Sequence, residues 1–105
     1  MNSQYKKGFL RLAVLLYLSN YDSYGYDLVK IIGQIFNTPS GTIYPLLYKL
    51  TDDNLVETYI VDETEGGIRK YYKLNQKGRE VLQKELLEWE EFISTYQQFF
   101  KKYRK

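Results

Sequence analysis

The chain has 105 residues and a formal net charge of +2, with neither Cys nor His. That length holds one domain around one core, and the missing residue types exclude disulfide scaffolds, thiolate nucleophiles, the commonest metal ligands and the usual general base. So small a net charge means that any polyanion partner must be argued from where the cations sit.

Residues 9–18 form the longest apolar stretch, but Arg11 interrupts it and it falls well short of the roughly 20 residues needed to cross a bilayer. It predicts a core helix and no membrane partner. No charged-then-apolar leader opens the chain, so a cytoplasmic location is expected. Tyr is abundant, at 12 residues, and each pairs an apolar body with a polar tip, which predicts half-wet surfaces such as interfaces or a ligand cavity.

A first helix is predicted over 4–20, where Phe9, Leu10, Ala13, Val14, Leu16 and Tyr17 make a broad apolar face. The turn cluster 20–23 follows, and Asp22 or Ser23 is expected to cap a second helix whose Leu28, Ile31, Ile32 and Ile35 form one buried stripe. Gly33 inside it costs about 1 kcal/mol of helix propensity relative to Ala. After the break at 37–40, Ile43, Leu46, Leu47 and Leu50 repeat the stripe in a third helix. Its start is either Thr38 capping with Pro39 at the first helical position, or Ser40 capping; Pro45 fits a helix start better than a middle.

Residues 55–61 and 69–74 are β-prone and flank the turn signal Glu65-Gly66-Gly67, which predicts a hairpin. Arg69, Tyr71 and Lys73 share one face of the returning strand and Lys70, Tyr72 and Leu74 the other, so each face carries a cation and the ribbon reads as basic and half exposed. Asn75 then suits the cap of a last helix, in which Leu82, Leu86, Trp89, Ile93, Tyr96, Phe100 and Tyr103 alternate steps of four and three. That heptad seam is too long to hide within a small monomer and predicts a homodimer interface. The domain division is placed at 1–75 for the three helices and hairpin, and 76–105 for the dimerisation helix.

Three short helices, a hairpin and a long helix give the order of a winged helix-turn-helix, mainly α with a β-hairpin, whose third helix enters the major groove. The segments Tyr24-Gly25-Tyr26-Asp27-Leu28, Ser40-Gly41-Thr42-Ile43-Tyr44-Pro45-Leu46-Leu47 and Gly66-Gly67-Ile68-Arg69-Lys70-Tyr71-Tyr72-Lys73-Leu74 resemble the three signature stretches of the PadR family of transcriptional regulators. The likeness covers nearly the whole chain, and its length and single C-terminal helix are similar to the small subclass. It implies a homodimeric repressor that binds a double-stranded operator. Two positions depart from the family pattern: Tyr48 stands where a basic residue is common, and Gly67-Ile68 where the wing often holds prolines.

With the buried stripe removed, the third helix offers Thr42, Tyr44, Tyr48 and Lys49 to DNA, with Ser40 at its phosphate-seeking end. Tyr24, Gly67, Arg69 and Lys70 complete the expected contacts. The plainer alternatives are a solvated polar surface and a charged hairpin that discourages edge pairing. Trp89 supports two readings: a packing residue of the seam, or a stacking plate that, with Phe92, Ile93 and Tyr96 and its copy facing it across the two-fold axis, binds a planar aromatic effector.

The basic end 101–105 is read as complementing the helix dipole, and Glu88, Glu90 and Glu91 as solvating charge rather than acid–base groups. Tyr26 and Lys30 match a dehydrogenase spacing, yet the Gly-rich phosphate loop and βαβ units that such chemistry needs do not fit. No enzyme, cofactor or metal is expected. The alternative function is a winged helix used only for protein–protein assembly, against which Arg69, Lys70 and Lys73 argue.

Overall fold

A computed structural model of the chain describes residues 3–105, with side chains from Lys7 onward; positions 1 and 2 of the expected first domain lie outside the described residues. The elements run α1 (Ser3–Asn20), β1 (Ser23–Tyr24), α2 (Gly25–Ile35), α3 (Ser40–Asp52), β2 (Val56–Glu63), β3 (Gly67–Leu74) and α4 (Gln76–Tyr103). The fold is a winged helix-turn-helix with a long C-terminal helix.

The apolar stripes of α2 and α3 meet α1 in one core, but the expected face of α1 is corrected: Leu15 and Leu18 are buried in it beside Leu10 and Val14, while Leu16 is 43% exposed. Leu10, Val14, Leu15 and Leu18 of α1 pack with Leu28 and Ile32 of α2, with Ile43, Leu47 and Leu50 of α3, and with Val56, Tyr72 and Leu74 from the sheet. The turn between α2 and α3 folds back on itself, the Thr38 N–H donating to the Gly33 carbonyl at 2.9 Å. A side chain at 33 would lie 2.8 Å from the Thr38 carbonyl oxygen, so the propensity cost of Gly33 is the cost of this turn. Asn75 caps α4 as expected: its Oδ1 accepts from the Gly78 N–H at 2.8 Å, while its Nδ2 donates to the Asn54 carbonyl at 2.6 Å.

Several local expectations are corrected. The hairpin is part of a three-stranded antiparallel sheet, ordered β1-β3-β2, because Ser23 and Tyr24 pair with Tyr72 and Tyr71. Ser23 is buried in that strand instead of capping α2, whose cap position is Tyr24 with no side-chain bond. Neither Thr38 nor Ser40 caps α3: Pro39 holds that position, Ser40 is the first helical residue, and Pro45 stands sixth. Ile35 ends α2 at 69% exposure, past the reach of the buried stripe.

Candidate nucleic-acid interface

At 100° per residue, the exposed side chains of α3 divide into two flanks on either side of its buried stripe. Tyr44 and Tyr48 leave on one flank, and Tyr48 is the more open at 73% exposure. Tyr44 and Ser40 border a shallow depression shared with Tyr26, Lys30 and Gln34 of α2. Thr42 and Lys49 leave on the other flank, where with Lys7, Gly8, Leu10, Arg11, Pro45 and Leu46 they border a groove of about 480 Å³ between α1 and α3. The Lys49 Nζ lies 3.3 Å from the Asp53 carboxylate, an exposed pair that partly offsets its charge.

In the wing, Glu63 pairs with Gly67 and the three residues between them form the tip; Gly67 has φ +75°, the left-handed region where a side chain is disfavoured. The outer face of the sheet is an aromatic row. Tyr59 stacks on Tyr71 with ring centroids 5.5 Å apart, Tyr71 meets Tyr24 at 6.2 Å, and Tyr24 meets Tyr26 at 6.1 Å. The Tyr59 hydroxyl donates to the Asp22 carboxylate at 2.8 Å, and that bond holds its phenol above the usual tyrosine range. Arg69 lies over the Tyr24 ring, 4.7 Å from its centroid, and its Nε is 3.3 Å from the Glu63 carboxylate.

Lys70 points from the opposite face of β3 toward α3, its Nζ 6.0 Å from the Tyr48 ring centroid and 5.5 Å from that of Tyr72. Thus the structure joins Tyr48 to Lys70, Tyr24 to Arg69, Tyr44 to Ser40 and Thr42 to Lys49, with Gly67 at the tip. The description of the hairpin as basic is corrected. Its arms hold Arg69, Lys70 and Lys73 against Glu57, Asp62 and Glu63, its tip adds Glu65, and Arg69 is held by Glu63. Lys70 is the wing cation that α3 and the wing share. Tyr26 and Lys30 were not among the expected contacts, although Tyr26 lies in the first signature stretch.

On α4 the seam splits in two. Leu82 is 4% exposed inside the core of its own chain, so it is corrected from an interface residue to a core residue, and half-buried Leu86 packs against the same cluster. Arg11 of α1 donates to the Glu85 carboxylate through Nε at 3.2 Å and a terminal nitrogen at 3.1 Å, binding α1 to α4 there. Trp89 marks the boundary: its indole lies 4.5 Å from the Phe9 ring centroid and against Gly8, so one side of it packs within the chain. Its other side meets the edge of Phe92 at 5.7 Å, beside a recess of about 270 Å³ bordered by Glu88. Beyond it Phe92, Ile93, Tyr96, Phe99, Phe100 and Tyr103 are 44–60% exposed on a helix that gives the molecule its 60 Å length. The heptad reading passed over Phe99, which sits on the flank of the seam with Phe92.

Among known proteins, the family model described as the transcriptional regulator PadR-like family matches residues 14–84. The transcriptional regulator YqjI of Escherichia coli K12 is 40% identical over 80 residues, covering 72% of this chain and only 37% of that protein. An uncharacterized protein of Lysinibacillus sphaericus is 29% identical over 89 residues, 81% of this chain and 82% of that one. Crystal structures of a PadR-like transcriptional regulator from Bacillus cereus and of a Streptococcus transcriptional regulator each superpose with a TM-score of 0.84 at 30% identity. Both alignments cover 93% of this chain, with 97% and 98% of the respective neighbours.

Proposed function

We propose that this chain, which belongs to the PadR-like family of transcriptional regulators, is a homodimeric repressor that inserts α3 into the major groove of a palindromic operator and lays its wing on the flanking phosphates. The membership makes it a regulator and not an enzyme. Carrying the finer reading is the continuous surface on which Tyr44 and Tyr48 of α3 stand beside Lys70 of the wing. The tyrosines offer hydroxyls and ring edges to bases, and the lysine offers charge to the backbone. Ser40, Thr42, Lys49, Tyr24, Gly67 and Arg69 complete the contact set. No helix among the described residues is long and apolar enough to cross a membrane.

Dimerisation falls to the exposed apolar face of α4 beyond Trp89, and the division at residue 75 is amended so that the first turns of α4 belong to the winged body. Two-fold symmetry then sets half-sites about 34 Å apart, one turn of the duplex. Retardation and footprinting of DNA upstream of the chain's own gene test the reading, and absence of any protected palindrome there and genome-wide would defeat it. Lys70→Ala is expected to weaken binding to every sequence and to lower the salt slope by about one unit, whereas Tyr48→Ala lowers affinity for the operator alone. An unchanged salt slope in the Arg69→Ala, Lys70→Ala double variant would remove the wing from the contact surface.

A planar aromatic effector bound beside Trp89, against Phe92, Ile93 and Tyr96, would release the operator in proportion to its preference for the dimer form that does not fit DNA. Trp89 is the only Trp, so its fluorescence reports occupancy directly. Trp89→Ala is expected to weaken dye-like ligands about tenfold, one lost stacking contact of about 1 kcal/mol or more. Equal affinity in that variant would leave Trp89 a packing residue only.

A further inference from the structure

The charges of the chain sum to +2, yet one recess of the winged body carries the opposite sign. Where the end of α1, β1, α2 and β3 converge, Tyr17, Tyr21 and Tyr71 border a hollow of about 490 Å³ together with Asp22 and Asp27, and Lys30 stands at its edge. Two carboxylates against one ammonium leave it one unit negative. Among the described residues neither Asp22 nor Asp27 forms an ion pair, so both charges are open to a guest. Asp22 is held in place by the Tyr59 hydroxyl, which donates to it at 2.8 Å. Ser23, only 6% exposed, also borders the hollow, and its hydroxyl donates to the Tyr24 carbonyl at 3.2 Å, which leaves its oxygen with lone pairs to offer.

The tyrosines are held by one another. Tyr17 and Tyr21 meet with ring centroids 5.4 Å apart and planes inclined at 49°, and Tyr71 is stacked on Tyr59. An aromatic face carries the negative part of the ring quadrupole, so the rings and the carboxylates favour the same guest, a cation, and disfavour an anion. A bare metal ion does not suit the set. Hard cations need several oxygen ligands in one shell, and no three acidic side chains among the described residues lie close enough to supply them. An alkylated ammonium ion does suit it, because its charge is spread over methyl groups that lie against rings and need no hydrogen bond.

We propose that this recess is a binding site for a small alkylated ammonium ion, seated among Tyr17, Tyr21 and Tyr71 with Asp22 and Asp27 as its counter-charges. The site is separate from the effector reading at Trp89. Trp89 packs on Phe9, and Tyr17 lies eight residues further along α1, so more than two helical turns divide the two aromatic clusters. The recess adjoins the candidate nucleic-acid interface instead. Lys30 and Gln34 border both it and the depression beside Tyr44 and Ser40, and Tyr71 meets Tyr24, which Arg69 covers. A guest there is one ring removed from two of the proposed DNA contacts.

Titration of the full-length protein with tetramethylammonium chloride, followed through the tyrosine ring resonances, tests the site against sodium chloride at equal ionic strength. Saturable shifts of Tyr17, Tyr21 and Tyr71 are expected in the millimolar range, the affinity of a few exposed cation–π contacts with two screened counter-charges. The uncharged tert-butanol, similar in shape, should leave these resonances in place. Tyr21→Ala, at a side chain 62% exposed, and Asp27→Asn, at an exposed position of α2, remove little that the core uses. Together they are expected to weaken tetramethylammonium about tenfold, roughly fivefold for the ring and twofold for the charge. An equal response to tert-butanol, an unchanged affinity in the double variant, or the absence of saturable shifts at these three tyrosines would each overturn the site. Shifts confined to Tyr96 would place the cation at the other aromatic cluster and overturn it as well.

Discussion

Replacing Ile93 and Phe100 together by Asp is expected to turn the dimer into monomers while the winged body stays folded. Both side chains are about half exposed in the single chain and, among the described side chains, lie beyond Trp89, where α4 meets Phe9 of α1, so the change removes little that the core uses. In the proposed dimer the same positions would be buried twice over by symmetry. Burying an apolar side chain of this size contributes about 1.5–3 kcal/mol, and four are lost, with a carboxylate buried in place of each and those at position 93 close to Glu90. Even heavily discounted, more than 4 kcal/mol disappears from association, a rise of about a thousandfold in Kd. Sedimentation at micromolar concentration measures this, and urea unfolding checks the fold. A variant that stays dimeric with an unchanged Kd would move the interface off this face. Cutting the chain near Lys77 is the poorer experiment, because it also removes Leu82 and Trp89, which the core and α1 use.

That distinction is where the sequence was least legible. Leu82 and Ile93 stand in one unbroken pattern of threes and fours, yet one is core and the other is exposed. Heptad spacing records only that a face is apolar, not which body covers it. The stripes of α2 and α3 were legible because each short helix turns a single apolar face to the one core; they fail at Ile35, where the helix ends, and in part at Ile31, which is only half-buried. The strand β1 left no signal: two residues are too few to alternate, and Ser23 reads equally as a cap. For the interface, residue types were readable and partition was not. Which flank of α3 holds Lys49, and that Glu63 reaches Arg69, depend on helix phase and on a three-residue hairpin tip that fixes the register.

Gly78→Ala is expected to destabilise the fold by roughly 1–3 kcal/mol, against the sign of helix propensity. Gly78 is the third residue of α4, and in an exposed helix Ala would be favoured there by about 1 kcal/mol. Here α4 starts pressed against the sheet: an added methyl would meet the Leu55 carbonyl oxygen and lie 2.5 Å from the Leu74 Cδ1. Neither can step aside cheaply. The Leu55 carbonyl accepts the Asn75 N–H at 3.1 Å, and Leu74 is 1% exposed in the core. Relief would require lifting the first turn of α4, which also strains the cap bond from the Gly78 N–H to Asn75 and thus costs part of a further 1 kcal/mol or so. Overpacking of this kind ordinarily costs about 1–3 kcal/mol, so the clash and the cap together outweigh the propensity gain. Gly41→Ala supplies the control, since an added methyl there has open space and exposure in the first turn of α3; it should be neutral or stabilising by up to about 1 kcal/mol. Urea midpoints of the two variants are expected to move in opposite directions or for Gly78→Ala alone. A midpoint for Gly78→Ala at or above that of the parent would show that the start of α4 is not seated on β2 and β3 in this way.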